Sequence, residues 1–135
     1  NGNTTRGQTP DRRVRFIGSA DHRIAEDYLR ILRFFRFHAE YAASVPDAEG
    51  LAACVRGRHG LGRLSAERVR AEVMKLVVAP GARAALQAMY EHGLLMAVTG
   101  AVPRLPQLAL LMTIEAAVGT APDPVRRLAQ VRRHA

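Results

Sequence analysis

An all-α fold is predicted by three features of the sequence. From Ser19 onward the apolar residues recur at helical spacing; Gly and Pro fall between the periodic runs; and alternation of apolar and polar residues is confined to one short stretch, RVRFIG, residues 13–18. With 135 residues, 48% of them hydrophobic, the chain is long enough for one domain or for two small helical subdomains sharing a core. It is too apolar for a disordered chain.

Taken in order, residues 1–13 are polar and aperiodic and read as an arm or linker, and RVRFIG as a brief extended segment. A first helix is expected from an N-cap at Asp21 to about Ala43. With 100° per residue and Arg30 at zero, Ile24, Tyr28, Ile31, Leu32, Phe35 and Ala39 fall between about 100° and 200°, a buried stripe. A second helix spans Asp47 to Arg58 behind Pro46 and is ended by Gly57, Gly60 and Gly62. A third starts behind Ser65 as N-cap, with Glu67 suited to the positive end of its dipole, and runs to Pro80. A fourth covers Ala82 to His92 and stops at Gly93, and shorter helices follow at Leu94–Thr99, Leu105–Val118 and from Asp123 onward. These elements divide into an arm (1–13), a helical region (14–79) and a second helical region (80–135).

The net charge of +8 points to an anionic partner, with nucleic acid or nucleotide ahead of a membrane surface. All but one of the 20 basic residues are arginine, a bias that coding composition alone also produces. The single Cys54 excludes an internal disulfide, reads as a small buried hydrophobe, and goes with a reducing, cytoplasmic compartment. Apolar runs are too short to span a bilayer, and no signal peptide is recognisable. The start at Asn1 rather than Met is expected of a processed product or of a piece of something larger.

Much catalytic chemistry is excluded. The aspartates at 11, 21, 27, 47 and 123 never form a D-x-D pair, the five histidines have no metal-ligand spacing, and there is no phosphate loop or nucleophile elbow. Recognition is what remains. Along EDYLRILRFFRF, residues 26–37, Asp27, Arg30, Arg33 and Arg36 form a slanted ladder winding away from the stripe, at about +60°, 0°, −60° and −120°. A guanidinium is always charged and presents a rigid fork of donors, which suits phosphates, ribose oxygens and base edges. Asp27 as acceptor beside Arg30 as donor matches a base with an exocyclic amine next to an unprotonated ring nitrogen. Cytosine and adenine have that pattern, whereas uracil and guanine oppose it. Taken alone, Glu26, Asp27 and Arg30 read first as ion pairs on a solvated helix face. Phe34 and Phe37 lie among the charges, suited either to stacking on bases or to burial beneath a neighbouring helix.

The run EDYLRILRFFRF resembles the Glu-Asp-x-x-Arg-x-x-Arg-x-x-Arg motif of bacterial tRNA nucleotidyltransferases of the poly(A) polymerase superfamily. RVRFIGSADHRIAED is similar to their lead-in segment, with Ser19 where an acid is common, and LSAERVRAEVMKLVVAPGARAALQAMYEHGLL to a later Ser-x-Glu-Arg motif. The resemblance covers about Arg13 to Leu95. It implies a helical neck (14–79) and a truncated body (80–135) of the poly(A) polymerase C-terminal type, without the metal-binding head. It further implies nucleotide binding by Asp27, Arg30, Arg33 and Arg36, with Glu26, Glu67, Arg68 and Glu72 in support. ATP, CTP and tRNA are the partners it implies; this chain supplies no catalytic residue and binds no metal or cofactor, Mg2+ belonging to the absent head. Arg56, Arg58, Arg63, Arg83, Arg126 and Arg127 are either tRNA phosphate contacts or solvated surface. Poly(A) addition is the alternative activity, and a freestanding helical RNA-binding or scaffold protein without transferase activity the alternative function.

Overall fold

The computed structural model describes the backbone of residues 7–8, together with residues 14–41, 46–99, 115, 119 and 121–131. Two-residue strands, β1 (Gly7–Gln8) and β2 (Val14–Arg15), pair antiparallel with Gly7 opposite Arg15 and Gln8 opposite Val14. Part of the arm read as aperiodic is therefore paired. The rest of the described chain is helical: α1 (Ala20–Glu26), α2 (Leu29–Tyr41), α3 (Ala48–Arg56), a 3-10 turn (Arg58–Arg63), α4 (Ala66–Val77), α5 (Ala82–Glu91), α6 (Leu94–Thr99) and α7 (Pro124–Val131). The helix expected at Leu105–Val118 lies outside the described residues except for Glu115.

The first predicted helix is two helices. Ser19, not Asp21, caps α1: the positive φ of Gly18, 78°, turns the chain so that Ser19 is extended and its hydroxyl accepts from His22 N–H at 3.3 Å. The helix then ends at Asp27, whose backbone is extended at φ −161°, ψ 107°. The Oδ1 of Asp27 accepts from Leu29 N–H at 3.1 Å, so the residue that ends α1 also caps α2. The angular count above holds within α2 but not across this break.

Helix α2 is the centre of the fold, packed by α4, α5 and β2. Its buried residues, Leu29, Ile31, Leu32, Phe34, Phe35, His38 and Ala39, form a wider face than the predicted stripe because neighbours cover it from several sides. Phe34 is fully buried, stacked on Phe16 behind β2 at 5.4 Å between centroids. Leu76, Leu86, Met89 and Leu94 complete the core from α4, α5 and α6.

The cap at Ser65 forms as predicted, its Oγ accepting from Arg68 N–H at 3.2 Å, while Asp47, read as the first residue of its helix, is that helix's cap, Oδ2 accepting from Gly50 N–H at 2.9 Å. Where α5 begins, the chain touches α2 backbone to backbone: Gly81 N–H donates to Ala39 C=O at 2.9 Å. A Cβ on residue 81 would stand 2.9 Å from that same oxygen, too close for ordinary contact, and backbone cannot swing aside as a side chain does. Gly81→Ala is expected to destabilise the fold by about 1–3 kcal/mol, the usual cost of overpacking, read as a lower urea midpoint with an unchanged m-value.

Candidate functional site

The ladder residues lie along one edge of α2, and α4 braces that edge. Arg68, in the first turn of α4, reaches across to Asp27 as a fork, Nη1 to Oδ1 at 3.3 Å and Nη2 to Oδ2 at 2.9 Å. One turn further, Glu72 takes two arginines of α2: its Oε1 accepts from Arg36 Nε at 2.5 Å and its Oε2 from Arg33 Nε at 3.2 Å. The Glu72 side chain is only 5% exposed and that of Arg36 13%, so these charges are mostly out of water and depend on one another. Arg68 and Glu72, four apart on α4, thus both turn to α2. Glu67 is exposed in the first turn of α4.

Arg30 is held differently. Its Nη1 donates to Glu26 Oε1 at 2.7 Å and to the carbonyl of Arg23 at 2.8 Å, tying the start of α2 back to α1. Its Nε is buried without a hydrogen-bond partner among the described residues. Arg36 also faces Glu40 at 3.4 Å, and its guanidinium lies 4.4 Å from the centroid of the Phe37 ring. Phe34, by contrast, belongs to the core.

Asp27 and Arg30 are neighbours because they are the cap and the third residue of a first helical turn, joined by Arg30 N–H to Asp27 C=O at 3.0 Å. Burial alone raises the pKa of Asp27, but the Arg68 hydrogen bonds and the Leu29 N–H outweigh it and hold the carboxyl below the ordinary aspartate value. A pKa depressed by folding contributes stability that is present above the unfolded value, about 3.9, and is lost as pH falls through the lower folded value. Asp27→Asn keeps a capping side chain but cannot titrate. It is expected to lose less stability than the parent as pH is lowered below about 4, checked by urea midpoints across that range.

The remaining predicted arginines separate clearly. Arg127 is 6% exposed and does not face a phosphate: its Nε and Nη2 hold Glu115 Oε1 at 2.9 and 2.7 Å, and its Nη1 donates to Val77 C=O at the end of α4 at 2.8 Å. Arg126 joins it on Glu115 through Oε2 at 2.7 Å, and Arg56 pairs with Asp21 at 2.8 Å. Arg58 donates to His92 C=O at 3.0 Å and is exposed, as are Arg63 and Arg83. Cys54 is fully buried and burial pushes its thiol pKa far up, so it is a core residue rather than a nucleophile. Among the described residues, no three His, Cys, Asp or Glu side chains are grouped to hold a metal, and no helix is long and apolar enough to cross a membrane.

The cross-helix braces had no local signal in the sequence, since Glu72 lies 36 to 39 residues from the arginines it holds. The resemblance nonetheless named Arg68 and Glu72 as supporting residues, without giving their partners.

Residues 47–107 match a family model described as the probable RNA and SrmB-binding site of polymerase A. The mitochondrial CCA tRNA nucleotidyltransferase 1 of Danio rerio is 45% identical over 86 residues, which is 62% of this chain and 20% of the relative. The CCA-adding enzyme of Geobacillus stearothermophilus is 37% identical over 98 residues, 72% of this chain and 24% of the relative. The crystal structure of Bacillus stearothermophilus CCA-adding enzyme in complex with CTP is similar in fold, with a TM-score of 0.61 at 32% identity over 73% of this chain and 28% of that chain. The chain spans a fifth to a quarter of the length of these two relatives. With sequence, helical order and fold in agreement over the same stretch, the chain belongs to the family of CCA-adding tRNA nucleotidyltransferases, of whose members it spans a helical segment.

Proposed function

We propose that this chain is the nucleotide-selecting and tRNA-binding part of a nucleotidyltransferase that adds or repairs the tRNA 3′ CCA end from CTP and ATP. Residues 14–79 act as its neck and residues 80–135 as part of its body. The observation that carries the reading is the unfilled hydrogen-bonding capacity of Asp27 and Arg30. Among the described residues, Oδ2 of Asp27 accepts only from Arg68 Nη2, so a further acceptor position remains, while Oδ1 is filled by Leu29 N–H and Arg68 Nη1. Arg30 uses Nη1 for both its bonds and has Nη2 left to donate. An acceptor beside a donor pairs with the amine and ring nitrogen of cytosine or adenine. Against uracil or guanine, a carbonyl meets the carboxylate and a ring N–H meets the guanidinium.

Among the described residues, Arg33, with Nε on Glu72, retains both terminal nitrogens for the rest of the nucleotide, and Arg36, with Nε on Glu72 and Nη1 on Glu40, retains Nη2. Metal-assisted phosphoryl transfer belongs in this reading to a head bearing paired aspartates and Mg2+. In this reading the role of this chain is to bind, orient and discriminate.

The test is incorporation by the head-containing protein on a tRNA lacking its 3′-terminal residues. Ordered addition of C and then A, with U and G rejected, is the expected result. Addition of A alone in a run would favour poly(A) polymerase, and RNA binding without any incorporation would favour a freestanding RNA-binding or scaffold protein.

A further inference from the structure

We propose that Phe37 and Tyr41, at the C-terminal end of α2, form a stacking platform for one unpaired base of an RNA strand. The two rings are themselves stacked, 6.1 Å between centroids and 20° between planes, and the guanidinium of Arg36 lies 4.4 Å from the centroid of the Phe37 ring. Tyr41 is the outer ring, 49% exposed, while Phe37 beneath it is half-buried. At 100° per residue, both lie within about 20° of Arg30 around α2, so the helix face that begins with the base-reading arginine ends in this aromatic pair.

The axial rise from Arg30 to Tyr41 is about 16 Å, beyond the base of a nucleotide read at Asp27 and Arg30. A base at Tyr41 therefore belongs to a different nucleotide, one in the strand. Two rings beside an arginine, on a chain of net charge +8, match the aromatic and cationic groups that hold single-stranded RNA through the π-faces of its bases. The patch is far smaller than the roughly 800 Å² per partner of a protein interface, but large enough for one planar base. Glu40, the nearby acid, is paired with Arg36 at 3.4 Å, which offsets its repulsion of a phosphate.

The choice of RNA rests on the proposed function, but the platform is tested apart from nucleotide selection. The chain has no tryptophan, so Tyr41→Trp places a single indole at the platform. Titration with a tRNA lacking its 3′ CCA is expected to quench that fluorescence saturably, and CTP alone is not. Tyr41→Leu is expected to weaken tRNA binding about 5- to 100-fold and Tyr41→Phe to leave it unchanged, with circular dichroism melts verifying that both variants fold. Absence of quenching, unaltered affinity in Tyr41→Leu, or quenching by CTP as complete as by tRNA would overturn the platform. Unchanged discrimination between C and U in the Asp27→Ala and Arg30→Ala variants of the head-containing protein, with quenching intact, would count against the base-reading role and leave the platform standing.

Discussion

Replacement of Glu72 by alanine is expected to lower the unfolding free energy by about 3–5 kcal/mol, the cost of removing one partner from a buried ionic cluster. One carboxylate, 5% exposed, holds Nε of both Arg33 and Arg36, and α4 packs on α2 around it. Without it, two guanidiniums of α2 lie side by side at a shielded contact, and among the described residues only Arg36 of the two keeps a carboxylate there, Glu40 at 3.4 Å. Glu72→Gln, which keeps the shape and one good acceptor, is expected to lose less. Replacing Glu72, Arg33 and Arg36 together by leucine is expected to recover much of the loss, because a buried ion cluster is about as stable as well-packed apolar residues of similar volume. Urea unfolding of the three variants separates the value of the charges from the cost of orphaning them.

In the head-containing protein, Asp27→Ala and Arg30→Ala are each expected to reduce discrimination of CTP over UTP by about 10- to 150-fold, the worth of a hydrogen bond to a charged group at about 1.5–3 kcal/mol. The Asp27 variant also loses the cap of α2 and the Arg68 fork, so stability must be measured alongside selectivity. Asp27→Asn controls for this, since asparagine still caps a helix. With its oxygen kept on Leu29 N–H, its amide presents a donor where Oδ2 stood, so it is expected to shift selectivity from cytosine towards uracil while the fold is largely retained. Arg30→Lys keeps the charge but loses the planar fork, and selectivity is expected to fall there also.

Elements whose ends are set by neighbouring residues were legible in the sequence. Ser65 caps as expected because the capping bond spans only three residues. The break at Asp27 was not, for no Gly or Pro marks it and the apolar spacing continues on both sides. The extended backbone there is compensated locally by the bond to Leu29 N–H and at long range by Arg68, 41 residues away. The burial of Phe34 was one of two readings the sequence left open, and it is Phe16, outside the helix, that covers the ring. Arg127 looked like one more surface cation until Glu115 and the end of α4 were found to enclose it. The ladder itself was visible as residues three apart and the resemblance named Arg68 and Glu72 among its supports, but which ladder residue each one holds required the fold.

The most direct measurement compares CTP with a pyrimidine ribonucleoside triphosphate that carries hydrogen in place of the exocyclic amine, both offered to the head-containing protein on a tRNA lacking its 3′ end. If that amine donates to Asp27, the parent prefers CTP by about tenfold or more, and the preference falls to near one in Asp27→Ala. A parent indifferent to the amine, or an Asp27→Ala variant with the preference intact, would contradict base reading by this edge of α2.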